Sequence, residues 1–183
     1  MSRASLLAEL VAYAPADARE AAMRSEIAAF VRDHADCFER TLLLGHLTAS
    51  AWVVDADRTH ALLTHHRKLG RWLQLGGHAD GDDDLRRVAL REAREESGLT
   101  AIRFAGTSIY DLDVHAIPAR GREPAHTHYD VRFAFIAERT QPTVVSAESH
   151  ELAWRPITTL RGADVDPSLR RLALKTGSLS SAS

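Results

Sequence analysis

The stretch Gly77-His-Ala-Asp-Gly-Asp-Asp-Asp-Leu-Arg-Arg-Val-Ala-Leu-Arg-Glu-Ala-Arg-Glu-Glu-Ser-Gly-Leu99 decides how this chain is read. A helix over about 84–97, at ~100° per residue, places Glu92, Glu95 and Glu96 within an arc of roughly 100°. Leu85, Val88 and Ala89 occupy the same stripe, so the carboxylates continue a face that begins apolar. The acidic run Asp80–Asp84 leads into the helix, and Gly98 stops it as a C′ glycine, with Leu99 able to make the accompanying apolar contact. Three carboxylates this close repel, and like charges four residues apart weaken a helix. The helix dipole opposes them further near the C-terminus. Arg91 can offset part of this through Glu95, but one arginine does not balance three glutamates. A hard dication such as Mg²⁺ or Mn²⁺, which prefers clustered carboxylate oxygens, would. An isolated E-x-x-E-E is more often a solvated acidic helix end, so the surrounding residues must decide.

Upstream of this helix, Leu47–Asp55, Ala61–His65 and Trp72–Leu75 read as short strands, with turn residues in Asp55-Ala-Asp57 and with Gly76-Gly77 ending the third run. Two amphipathic helices precede them, at 5–13 (Leu6, Leu7, Leu10, Val11) and about 17–34 (Ile27, Phe30, Val31), separated by Pro15 and started by Asp17. Downstream, strands near 101–115 and 126–137 flank the loop Ala116–Ala125. A short strand near 151–155 and a helix of about 166–175 follow.

The quoted stretch resembles the Nudix box, G-x5-E-x7-R-E-U-x-E-E-x-G-U with U aliphatic. Asp83 is the one departure, standing where the family has Glu, and Ala93 is a small choice at an aliphatic position. The resemblance covers about 42–160, through Thr48–Asp55, Ala61–His66, Gly70–Gly77 and Glu151-Leu-Ala-Trp154 with Pro156 and Leu160. Leu75 takes the place where many members carry Pro. The resemblance implies an α/β fold, a Nudix-type α/β/α sandwich around a mixed sheet. The two N-terminal helices and the tail lie outside the resemblance, so the chain divides into an N-terminal helical extension over 1–40, the Nudix domain over 41–176 and a flexible tail over 177–183.

The implied activity is divalent-metal-dependent hydrolysis of a diphosphate (pyrophosphate) linkage in a nucleoside-diphosphate-type small molecule, with Mg²⁺ or Mn²⁺ as cofactor. By resemblance, Glu92, Glu95, Glu96 and the Gly77 carbonyl hold the metal, and Arg91 keeps the glutamates in place. Glu92 is the first choice of general base, with Glu148 and Glu151 as later candidates. Asp83 is expected to adjust the geometry of the box without abolishing activity.

A second constellation lies outside the box. Alternation puts His126, His128, Asp130 and Arg132 on one strand face, and Asp111, Asp113 and His115 together on the strand before it. Paired as a hairpin, these faces would form a site for substrate recognition or a second metal. With a different register they form a solvated polar face, because a one-residue slip changes which groups meet. His65 and His66 are adjacent, so one at most faces a cleft. Trp72 is a candidate for stacking on a base, against the commoner role of core or rim packing, and Trp154 reads as core.

The whole chain adds exclusions. A formal net charge of −2 gives no bulk attraction to a nucleic acid polymer or an anionic membrane. Cys37, the only cysteine, excludes an intramolecular disulfide. The first helix lacks the basic flank of a signal peptide, and no apolar run reaches the ~18 residues of a membrane span, so a cytoplasmic location is expected. The expected partner is a small-molecule diphosphate, and a homodimer through the N-terminal helices is a reasonable arrangement. Two other readings stay open, a prenyl-diphosphate isomerase-like enzyme on this fold and a non-catalytic Nudix ligand-sensing domain. A complete box favours hydrolysis over both. No residue pattern selects among nucleoside triphosphates, nucleotide sugars, dinucleoside polyphosphates, ADP-ribose and coenzyme diphosphates.

Overall fold

Ten consecutive buried residues, Gly45–Val54, form the strand on which the architecture is built. The computed structural model describes residues 2–122, 124–147 and 149–179. Helices α1 (Arg3–Ala12) and α2 (Ala18–Asp33) come first, followed by β1 (Gly45–Val54), β2 (His60–His66), β3 (Arg71–Leu73) and β4 (Leu75–His78). Helix α3 (Leu85–Ser97) precedes β5 (Ile102–Phe104), β6 (Asp111–Ile117), β7 (His126–Ala137) and β8 (Ser149–Pro156). Helices α4 (Ile157–Leu160) and α5 (Pro167–Lys175) complete the order.

The eight strands make one mixed sheet with the path β3-β2-β1-β7-β5, to which β4 adds on β1, β6 on β7 and β8 on β2. β1 and β7 run parallel over their length, and the other pairs are antiparallel. A strand buried on both faces carries apolar residues at odd and even positions alike. Leu47, Ala49, Ala51 and Val53 of β1 face one core with Val131, Phe133 and Phe135 of β7 and with Leu85, Val88, Ala89 and Ala93 of α3. Leu6 and Leu10 of α1 and Ile27 and Val31 of α2 are buried in that same core, so the N-terminal helices pack on the sheet within one chain. Trp52, Val54, Leu63 and Ala134 face the opposite core, closed by Ile157 and Leu160 of α4 and Leu169 and Leu172 of α5. Helices on both faces of a mixed sheet give the α/β/α sandwich that the sequence implies.

Local signals set the ends of α3. The Asp84 side chain accepts from the Arg87 amide at the N-terminus, and Gly98 adopts φ +71° at the C-terminus. Two sequence expectations need adjustment. Gly76-Gly77 does not end a strand; it sits inside β4, paired with Ser50 and Ala49 of β1. The single strand expected over 101–115 is two, β5 and β6, both on β7, with 105–110 looping out between them.

A buried charge network ties these layers together. Arg132, 2% exposed, donates to Asp130 at 2.7 Å, Asp113 at 2.7 Å, Asp111 at 3.1 Å and Ser168 at 2.6 Å. Arg171 of α5 adds bonds to both oxygens of Asp111 at 2.9 Å. Lys175 joins Asp111 at 2.9 Å to Glu20 of α2, and Asp130 accepts from Thr48 and Ser50 of β1. The polar face that the sequence left open between a site and a solvated surface is thus buried and internally paired in its Asp/Arg half.

Candidate functional site

β4 brings the box residues together. Glycine is required at Gly76 because a Cβ there would lie 2.6 Å from Ser50 Oγ and 2.8 Å from the Ala49 carbonyl oxygen. That close approach lets β4 pass along β1 beneath the carboxylate end of α3. The Gly76 amide donates to Glu96 Oε2 at 3.0 Å, and Glu96 is 8% exposed. At Gly77 a Cβ would come within 2.5 Å of Glu92 Oε2, so the Glu92 carboxylate rests directly against the Gly77 backbone. Arg91 bonds to Glu92 at 2.7 Å and to the His78 carbonyl at 3.0 Å, clamping helix to strand. Its partner is Glu92 rather than Glu95, which stands exposed on the next turn.

Burial raises the pKa of Glu92, and the nearby Glu95 charge adds to this while Arg91 acts against it. This corner therefore gathers carboxylate oxygens around one glycine backbone in a partly desolvated place with a net negative charge. Such an all-oxygen donor set suits a hard divalent cation. Gly77→Ala is expected to push the Glu92 carboxylate away, lowering metal-dependent activity ~10-fold or more while leaving most of the fold intact. Thermal melting alongside an activity assay checks this; a variant melting like the wild type with unchanged activity would show that the contact has no catalytic weight.

The loop entering α3 is held by the neighbours of Asp83. Asp82 bonds Arg87 and accepts from the Asp84 amide at 2.9 Å, and Asp84 caps the helix, while Asp83 is exposed. Glu151 lies exposed on β8, opposite His65 of β2, and makes no hydrogen bond or ion pair with the box residues. Glu148 lies outside the described residues. Trp72 pairs across β3 and β2 with His65 (ring centroids 5.2 Å apart) and carries the Arg155 guanidinium 5.1 Å from its ring centroid. One face of that ring system is therefore already occupied by protein groups.

The hairpin β6–β7 has the register that brings the second constellation together, with His115 opposite His128, Asp113 opposite Asp130 and Asp111 opposite Arg132. Two residues that sequence reasoning did not single out join it. His46 of β1 lies opposite His128, and His78 ends β4 opposite Thr48. Ring centroids of His46 lie 5.0 Å from His78, 5.0 Å from His126 and 4.9 Å from His128. His46 and His78 are each the lone histidine of their strand, brought together by the β1–β4 pairing, while the parallel β1–β7 pairing sets His128 beside them.

Burial first, then the neighbouring imidazoles, pulls His46 down to about 4 and His128 down to about 2. Since both folded values lie below the ordinary ~6.5 of an unfolded histidine, their contribution to stability is complete above that pH and is lost as pH falls toward the folded values. The melting temperature of chelator-treated protein is therefore expected to drop between pH 7.5 and 5. His128→Asn should flatten that drop, and an equally steep drop in the variant would place the acid sensitivity elsewhere.

A cavity of about 750 Å³ opens elsewhere, between α1, the 105–110 segment and the C-terminal residues near Lys175 and Leu179. It shares no lining residue with the box glutamates. The chemistry, rather than the cavity, marks the candidate site.

A sheet between two helical layers, with a carboxylate-bearing helix end seated on a Gly-Gly strand, defines an α/β/α protein with an acidic corner. The NUDIX domain family model matches residues 45–174, and the chain belongs to that family, the Nudix hydrolases. Solved structures agree at the level of fold. The chain is similar to a Caenorhabditis elegans Ap4A hydrolase in a binary complex, with TM-score 0.54 and 16% identity over 72% of this chain and 95% of that one. It is also similar to RenU, a Nudix hydrolase from M. smegmatis, with TM-score 0.55 and 20% identity over 74% and 89% of the two chains. A third is the E. coli dihydroneopterin triphosphate pyrophosphohydrolase, with TM-score 0.55 and 13% identity over 69% and 91%. A comparison with curated proteins finds no match. No helix among the described residues is long and apolar enough to cross a membrane.

Proposed function

We propose that this protein hydrolyses the diphosphate linkage of a nucleoside-diphosphate-type small molecule, using Mg²⁺ or Mn²⁺ at the box corner. The observation that carries this reading is the convergence of Glu92 and Glu96 on the Gly76-Gly77 backbone. Glu92, Glu96 and the more exposed Glu95 would hold the ion, with the Gly77 carbonyl as a further oxygen donor. A divalent ion there supplies neutralisation of the diphosphate and a bound water of lowered pKa.

The protein's own groups do the rest. Arg91 fixes Glu92 against β4 and so holds the ligand set in one arrangement. Glu92 is the proposed base, its carboxylate held by Arg91 against the Gly77 backbone, where it would stand beside a metal-bound water. The N-terminal helices and α5 close the rest of the sheet, leaving the base or sugar to be chosen by loops. Two structural relatives, an Ap4A hydrolase and a pyrophosphohydrolase of a triphosphate, support a nucleotide-like diphosphate as the substrate class. The proposed organisation is a Nudix domain over 41–176 with 1–40 as a helical extension packed onto its core.

Hydrolysis consumes water, whereas a diphosphate isomerase on this fold would not. Turnover in ¹⁸O-labelled water is expected to place the label on a product phosphate. Conversion of substrate without label uptake would instead support the isomerase reading.

A further inference from the structure

We propose that His46, His78 and His128 form a second metal site, separate from the box glutamates, for a borderline d-block dication such as Zn²⁺. Each of the three offers a ring nitrogen within 4.8 Å of the others. A tetrahedral ion with Zn–N bonds of about 2.05 Å needs nitrogens ~3.3 Å apart, a closure that small rotations of the three imidazoles can supply. The three come from different strands, β1, β4 and β7, and the β1–β7 and β1–β4 ladders fix their separation. They are therefore held by backbone pairing on a rigid sheet rather than by a loop.

The surroundings match imidazole ligation. His46 is 3% exposed, yet neither ring nitrogen makes a well-formed hydrogen bond, the Leu42 carbonyl exerting only a minor pull on it. A buried imidazole without such bonds costs stability unless something else satisfies it. His126 is the next donor. Its Nδ1 lies 3.0 Å from the Pro124 carbonyl, and its Nε2 faces His128 Nε2 at 3.1 Å. An Nδ1–H donated to Pro124 turns the Nε2 lone pair of His126 toward the cluster, the usual way a backbone carbonyl orients a metal-binding histidine. His115 stands at the rim, its ring 5.5 Å from that of His128 and its Nδ1 3.6 Å from Asp113.

An anion is the poorer occupant. Packing this many imidazoles with centroids about 5 Å apart opposes the multiple protonation that phosphate binding would require. Nitrogen donors select Zn²⁺, Cu²⁺, Ni²⁺ or Fe²⁺ over Mg²⁺, and so distinguish this site from the all-oxygen box corner. The two sites share β4, whose Gly76 and Gly77 support Glu96 and Glu92 and whose His78 enters the cluster.

Metal binding tests this independently of hydrolysis. Chelator-stripped protein in excess Mg²⁺ is titrated with Zn²⁺, and with Co²⁺ as a visible-absorbing probe. The wild type and a Glu92→Gln/Glu95→Gln/Glu96→Gln variant are each expected to take up one equivalent and gain melting temperature, with a nitrogen-ligated Co²⁺ spectrum. His46→Asn and His128→Asn should bind on the order of 10²-fold more weakly. His78→Gln, at a half-buried position like that of His128, should show the same loss and guards against misfolding of the more enclosed His46 variant. Zn²⁺ binding that survives all three histidine substitutions in folded protein, or that is lost in the glutamate variant alone, would overturn the proposal. So would a wild type that binds no Zn²⁺.

Discussion

Glu96→Gln is expected to lower kcat for diphosphate hydrolysis by at least about 10²-fold, with the fold unchanged. The amide keeps the size of the side chain and one oxygen that can still accept from the Gly76 amide. What it removes is the charge. If Glu96 serves only to hold β4 against α3, the variant will retain its activity, because that bond survives. If the carboxylate holds a dication, activity falls and recovers in part at raised Mn²⁺. Steady-state kinetics at several metal concentrations separate the two outcomes.

Arg132→Met is expected to destabilise the protein by ~3–5 kcal/mol, the usual cost of removing one member of a buried ionic group. Three carboxylates, on Asp111, Asp113 and Asp130, would lose a shared partner in a place from which water is excluded. Total stabilities are only about 5–15 kcal/mol, so the loss is large. Urea unfolding should show a lower midpoint with an unchanged slope. A loss below ~1 kcal/mol would mean that Arg171 and Lys175 on Asp111 and Asp113, with Thr48 and Ser50 on Asp130, already satisfy those aspartates. Burial alone would raise Asp111 and Asp113, yet Arg171, Arg132 and Lys175 hold Asp111, and His115, Arg132 and Arg171 hold Asp113, below the ordinary carboxylate range. Their contribution is therefore complete above the ordinary unfolded value of ~3.9 and is lost as pH falls through the lower folded values.

The box was legible because its information is local. A 3.6-residue period, a capping aspartate and a stop glycine lie on one helix, and they place Glu92 and Glu96 without any long-range knowledge. β4 was not legible, since Gly-Gly is a poor strand former and its pairing is set by how closely Ser50 and Ala49 must be approached. Alternation showed which residues of β6 and β7 share a face, but not that the face is buried; α5 covers it, and Arg171 and Lys175 complete its charge pairing from far along the chain. His46 and His78 escaped notice for the same reason. Neither carries a local pattern; the antiparallel β1–β4 pairing brings them together, and the parallel β1–β7 pairing adds His128.

The central claim is that the acidic corner of α3 and β4 performs metal-dependent diphosphate hydrolysis. Its most direct test is product release from a panel of nucleoside triphosphates, nucleotide sugars, dinucleoside polyphosphates, ADP-ribose and coenzyme diphosphates. Wild type and the Glu92→Gln/Glu95→Gln/Glu96→Gln variant are compared in Mg²⁺, in Mn²⁺ and in chelator. Turnover of one compound class by the wild type, abolished both by chelator and in the variant, is the predicted result. Turnover that persists in the variant, or no turnover of any compound by metal-replete wild type, would contradict it.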